Sequence, residues 1–141
     1  MSLRKIDKII IHCSDSDRPE HDNIDVIRSW HKQRQFKDIG YHYVIVKSGG
    51  IFIGRNIFDI GAHTLHHNTS SIGLCLTGRV NFSNEQLETL ETLCLNLMAI
   101  FSLPYTSIYG HYEFNNGKTC PNISMEIFRS RLKQNKKGFL L

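Results

Sequence analysis

No apolar run in this chain approaches the roughly 20 residues that a helix needs to cross a bilayer, so no helical membrane span is expected. Only three prolines occur among 141 residues, too few for a proline-rich or low-complexity chain. The four cysteines, Cys13, Cys75, Cys94 and Cys120, form no Cys-x-x-Cys pair. A chain of this length can bury a core without covalent staples, so a disulfide framework is not expected. Basic residues are not interleaved with aromatics, which argues against a nucleic-acid groove despite the net charge of +4.

What is present is ordinary for one compact domain: 40% hydrophobic and 21% charged residues. The expected unit spans residues 1–141, with a core over about 6–132 and a basic tail over 133–141. That tail, within RLKQNKKGFLL, reads either as a solvated terminus or as attraction to an anionic polymer such as cell wall. The N-terminus, MSLRKIDKIIIHCS, has basic residues before isoleucines, as a secretory leader does. Asp7 and Lys8 break its apolar part and no small-residue cleavage site follows, so it reads as a strand. The expectation is cytoplasmic synthesis, with action on fragments there or release by lysis or dedicated export.

Ile6–His12 is a short β-branched run, apolar enough for a central strand. Ile24, Ile27, Trp30 and His31 then recur at helical spacing, with Asp22 or Asn23 as cap. Tyr41–Lys47 and Ile51–Arg55 flank Ser48-Gly49-Gly50 as a hairpin. Ser71–Gly78 reads as a strand. Ser83 to Gln86 forms a capping-box pattern before Leu87, Leu90, Cys94, Leu97, Met98 and Phe101. Ser107–Gly110 looks like a short strand, and Ser124 caps a last helix from Met125 to about Lys133. This order predicts an α/β fold: a single domain with a mixed β-sheet flanked by helices.

Eight histidines are many for this length. His21, His31, His66 and His67 fall in loops or on a helix and read mostly as surface residues, whereas His42 reads as structural. Cys75 and Cys94 fit apolar positions and read as small core residues. Trp30 lies on the apolar side of its helix and reads as core. His12 and His111 each follow a strand, where α/β sheets tend to bind ligands. Cys120 follows His111 by nine residues. Two imidazoles and a thiolate are a known catalytic zinc set with one position left open. Spacing alone does not pair them, since His12 and His111 are roughly a hundred residues apart, and separate structural roles remain the alternative.

Five segments in register resemble the zinc-dependent N-acetylmuramoyl-L-alanine amidases of the phage-lysozyme type, which share their fold with the peptidoglycan recognition proteins. They are IIIHCS, VIRSWHKQRQFKDIGYHYVIVKSGGIFIGR, GAH, NTSSIGLCLTG and the GHYE…KTCP stretch. The resemblance implies one zinc ion held by His12, His111 and Cys120, with Tyr41 and Lys118 as catalytic residues. It implies peptidoglycan or a muropeptide as substrate, cut between N-acetylmuramic acid and L-alanine. Family members often carry glycine after the Cys-Pro pair, where this chain has Asn122, and the loop from His111 to Cys120 is a residue longer than in close phage relatives.

Within that reading, Tyr41 orients the attacking water and relays its proton, while Lys118 stabilises the developing oxyanion. His63 and Asn68 are expected to line the substrate cleft, with loop structure as the alternative. Glu113 either orients a neighbour of the metal or is a solvated carboxylate. A monomer is expected. Two other readings compete: a metal-independent Cys-His hydrolase using Cys120 or Cys13, and a non-catalytic peptidoglycan-binding module. Cys13 follows His12 on a strand, so the two side chains are expected on opposite faces.

Overall fold

The computed structural model describes residues 4–139, with side chains described to residue 135. Five strands form one mixed sheet in the order β3-β2-β4-β1-β5. They are β1 (Lys8–Cys13), β2 (Tyr43–Ile45), β3 (Ile51–Ile53), β4 (Ser71–Leu76) and β5 (Ile108–Gly110). Strand β1 runs parallel to both β4 and β5, β2 runs parallel to β4, and only β3 is antiparallel. Three helices flank the sheet: α1 (Ile24–Gln33), α2 (Asn84–Phe101) and α3 (Met125–Phe139).

The central position of β1 explains its composition. Ile9, Ile10 and Ile11 are fully buried, as a strand covered on both faces requires. Each contributes roughly 1.5–3 kcal/mol of apolar burial. Alternation divides the sheet. Ile9 and Ile11 pack with Leu90, Cys94 and Met98 of α2 and with Met125, Phe128 and Leu132 of α3. On the opposite face, Val44 and Cys75 pack with Ile27 of α1 and Ile39. Strand β3 is an exposed edge, which its Ile-Phe-Ile sequence does not announce.

The caps follow the side-chain chemistry. Asn23 Oδ1 accepts from Asp25 N at the start of α1. Asp22, the other cap candidate, instead accepts from Lys47 N and Thr77 Oγ1. Ser83 and Gln86 form the reciprocal capping box. The buried Gln86 amide also donates to the carbonyls of Ile45 and Thr77, tying α2 to the sheet. Helix α3 runs beyond the expected end near Lys133 to Phe139. The expected basic tail lies largely outside the residues with described side chains.

His31 differs from its expected surface position. It is buried, and its Nδ1 accepts the Gly40 N–H at 2.8 Å. A hydrogen bond from the chain entering β2 outweighs imidazole hydration here. The same crossing demands glycine, because a Cβ at Gly40 would sit 2.0 Å from the Ala62 carbonyl oxygen. His42 is also fully buried: Nδ1 accepts from Gly73 N, so Nε2 carries the hydrogen and donates to Asp59 O.

Burial, aided by Arg34 and Arg55, lowers the pKa of His31 to about 4. Burial likewise lowers His42 to about 4. Both folded values lie below the unfolded value of about 6.5, so the unfolded chain binds more protons between them. Stability is therefore expected to be full above pH 6.5 and to decline as pH falls toward 4. Urea unfolding across that range checks this. His31→Gln, which keeps an acceptor for Gly40, should flatten the slope by up to about 1.4 kcal/mol per pH unit.

Candidate active site

Register brings the site together. Ile11 of β1 pairs with Gly110 of β5. His12 and His111 are the next residues on these neighbouring parallel strands, so two positions far apart in sequence leave the sheet side by side. Their ring centroids are 4.5 Å apart. Cys120 returns through a loop that is stitched to the end of β1 and to the turn that follows β5. Tyr112 N donates to Cys120 O at 2.9 Å, and Cys13 N donates to Cys120 Sγ at 2.9 Å. One ligand atom from each of His12, His111 and Cys120 lies within 4.8 Å of the others. Among the described residues this is the one His/Cys/Asp/Glu group of three or more that could hold a metal ion.

Several contacts that the sequence pattern did not disclose hold the loop. Glu113 Oε1 accepts from Gly110 N, and both carboxylate oxygens receive the Arg129 guanidinium at 2.7 and 3.0 Å. Arg129 also donates to Ile108 O, so α3 clamps the strand that delivers His111. Glu113 thus anchors the backbone next to His111. Asn122 has φ of 61°, in the left-handed region where glycine and asparagine are favoured. Its side chain donates to Arg79 O at 2.8 Å. An asparagine there keeps the turn and adds a bond that glycine lacks.

Cys13, the last residue of β1, also lines the cleft. The other cleft walls come from α1 and from the 62–68 loop. Tyr41, His63, Asn68 and Lys118 all line this cleft of about 840 Å³, together with His12, His111 and Cys120. The Tyr41 ring lies 5.1 Å from that of His12. Trp30, expected in the core, packs against the α1-side core and also lines the cleft with Arg34 and Phe36. Nothing in α1's periodicity distinguishes a side chain at the margin of a core from one inside it.

His63 sits against His12, with Nδ1 2.9 Å from His12 Nε2. Asn68 Oδ1 accepts from the backbone N–H of both His63 and Thr64 at 2.9 Å. A second groove, about 450 Å³ between α2 and α3, contains Glu88, Glu91 and Arg131 but no such metal-type group.

Burial, then neighbouring His63 and His111, holds the His12 pKa well below 6.5. Burial and Lys118 lower that of His111. Both rings are therefore neutral near pH 7 and present lone pairs. The neighbouring Cys13 sulfur and burial raise the Cys120 thiol well above 9. Burial, followed by the sulfurs of Cys75, Cys120 and Cys13, raises the Tyr41 phenol well above 10. Two neutral imidazoles and a latent thiolate suit a borderline-soft dication in tetrahedral geometry. Bond lengths of roughly 2.0–2.3 Å put the ligand atoms of such an ion on the order of 3.5 Å apart. The 4.8 Å limit on the observed spacing needs a contraction of at most about 1.3 Å, so the donor set fits.

An open cleft before a metal-type centre, at the carboxyl ends of parallel strands, defines the class: a mixed-sheet α/β domain with a candidate metal centre. Comparison with known proteins gives the family. Residues 2–123 match the family model described as N-acetylmuramoyl-L-alanine amidase, and the chain belongs to that family. It is 30% identical over 128 residues to the endolysin of Escherichia phage T7, covering 85% of this chain and 83% of that protein. It is 29% identical over 103 residues to a peptidoglycan-recognition protein of Drosophila melanogaster, covering 70% of this chain and 56% of that protein. Among solved structures, the N-acetylmuramoyl-L-alanine amidase LysC from Clostridium intestinale superposes with a TM-score of 0.81. Its identity is 26%, over 93% of this chain and 87% of that one.

Because the imidazoles are already neutral and Cys120 is a thiol, a dication binding at pH 7 should displace about one proton. Titrating the metal-free protein with Zn2+ in buffers of different ionisation enthalpy checks the count. Apparent affinity should fall about tenfold for each pH unit below 7 until the histidines begin to protonate.

Proposed function

We propose that this chain is a zinc-dependent N-acetylmuramoyl-L-alanine amidase that cuts the bond between the lactyl group of N-acetylmuramic acid and L-alanine in peptidoglycan. The observation that carries the reading is the convergence of His12, His111 and Cys120 from opposite ends of the chain at the floor of an open cleft. Family membership supports the same bond as the target.

His12, His111 and Cys120 would hold the ion. When bound, zinc lowers the pKa of water from 15.7 toward about 7 and polarises a carbonyl oxygen. One thiolate among the ligands leaves a net site charge of +1, so the chain's own groups must carry part of the work. Tyr41 lies within the cleft wall beside His12, and its raised pKa keeps it a neutral phenol. Its Oη hydrogen-bonds the attacking water and passes a proton toward the departing nitrogen. Lys118 reaches the cleft from the returning loop, near enough for its charge to depress His111. Its ammonium stabilises the oxyanion that develops on the scissile carbonyl. The raised Cys120 pKa disfavours that residue as a thiol nucleophile. A thiol mechanism would fall to Cys13, whose pKa its contact with Cys120 lowers, and metal-dependent turnover separates the two readings.

Digested sacculi analysed by mass spectrometry should release stem peptides with a free L-alanine N-terminus. Chelator should abolish the activity and Zn2+ should restore it. Tyr41→Phe and Lys118→Ala should each keep stoichiometric zinc yet lose roughly 100-fold or more in kcat. His12→Ala should lose metal and turnover together. Activity that survives exhaustive metal removal, or a muropeptide bound but uncut in zinc-replete buffer, would overturn the proposal.

A further inference from the structure

We propose that His63 is a positioning residue: it fixes the tautomer and ring orientation of His12, so that His12 presents Nδ1 to the metal. This rests on the zinc-site reading above and gives His63 a role distinct from substrate contact.

His12 Nε2 lies 2.9 Å from His63 Nδ1 and 3.2 Å from Thr64 Oγ1. Two imidazole nitrogens facing each other at that distance share a single hydrogen. A ligating nitrogen must keep its lone pair for the metal. With Nε2 engaged by His63 and Thr64, Nδ1 is the nitrogen left for the ion, and Nε2 carries the hydrogen. His63 Nδ1 is then the acceptor, and its Nε2 carries the other hydrogen. That hydrogen has a receiver, since Ser71 Oγ lies 3.3 Å away. The series from His12 through His63 to Ser71 is consistent throughout, since the Ser71 hydroxyl can accept that hydrogen.

The fold builds a slot for the His63 ring. A Cβ on Gly73 would come within 2.6 Å of it, and one on Gly61 within 2.7 Å. The backbone is held by Asn68 Oδ1, which accepts from the N–H of His63 and of Thr64. Thr64 Oγ1 closes the third side, 3.0 Å from His63 Nδ1. A ring so confined has no freedom to turn toward a variable substrate, but it can hold a neighbouring ring to one angle. The choice of acceptor also matters electrostatically. A carboxylate in this place would cut the summed charge of zinc, thiolate and acceptor from +1 to zero, whereas imidazole leaves it unchanged.

The test reads metal affinity and tautomer separately from turnover. In the metal-free wild-type protein, long-range 1H–15N NMR correlations should show His12 as the Nε2–H tautomer. Competition with a chromophoric chelator should show His63→Leu losing roughly 10- to 100-fold in Zn2+ affinity. His63→Asn, whose amide oxygen replaces the Nδ1 acceptor, should recover most of that loss. Thermal unfolding of both variants establishes that they fold, and the wild-type NMR result stands whether or not they do. An Nδ1–H tautomer in the wild type would overturn the inference. So would a folded His63→Leu with unchanged Zn2+ affinity, with or without a raised KM for muropeptide. Wild-type protein that binds no zinc would instead sink the proposed function itself.

Discussion

Everything at the cleft depends on one pairing, that of β1 with β5. Once Ile11 is set opposite Gly110, the following residues are two imidazoles at neighbouring strand ends. A slip of one residue on either strand would turn one histidine toward the α2–α3 core. The register is therefore enforced by burial: Ile9 and Ile11 must face Leu90, Met98 and Met125 for the core to close. The hydrophobic energy of the far layer thus fixes the geometry of the chemistry on the near one. Helix α3 adds to this by binding Ile108 and Glu113 through a single guanidinium.

In the proposed zinc site, a Cys120 thiolate would set the character of the metal centre. Cys120 Sγ receives the Cys13 backbone N–H, a hydrogen bond that draws charge from sulfur and partly offsets its donation to a dication. The remaining help must come from the cleft walls, and they divide by exposure. Tyr41 is held against the His12 ring on one side, while Lys118 sits on the exposed returning loop. One group is fixed before substrate arrives, and the other can adjust to it.

Much of this was legible in the sequence, for physical reasons. Strand β1, the capping box of α2 and the hairpin carry strong local signals, and they give the mixed α/β sheet. The triad was legible only through the resemblance, because no local pattern joins His12 to His111. The contacts that hold the site escaped. Glu113 and Arg129 lie on different elements, and charge alone does not pair them. His31 looked exposed because helical periodicity does not reveal that the Gly40 N–H needs an acceptor. Asn122 looked like a departure from a glycine until its backbone angle showed that both residues meet one requirement. His63 was read as a cleft residue, which its position allows, while its contact with His12 depends on a slot made by two glycines that no spacing rule detects.

The polar scaffold is closed before any ion is considered. Among the described residues, every buried side-chain nitrogen and oxygen has a hydrogen-bond partner. That contrasts with small domains whose fold exists only around their metal, where ligands are drawn together by the ion itself. Here apolar burial and backbone pairing bring the donors together. In the proposed zinc site, metal binding would add stability by ordinary linkage, RT ln(1 + [L]/Kd). Such a scaffold suits the proposed catalysis: where strand pairing brings the donors together, three ligands would suffice for the ion and the fourth position would be left to the reaction.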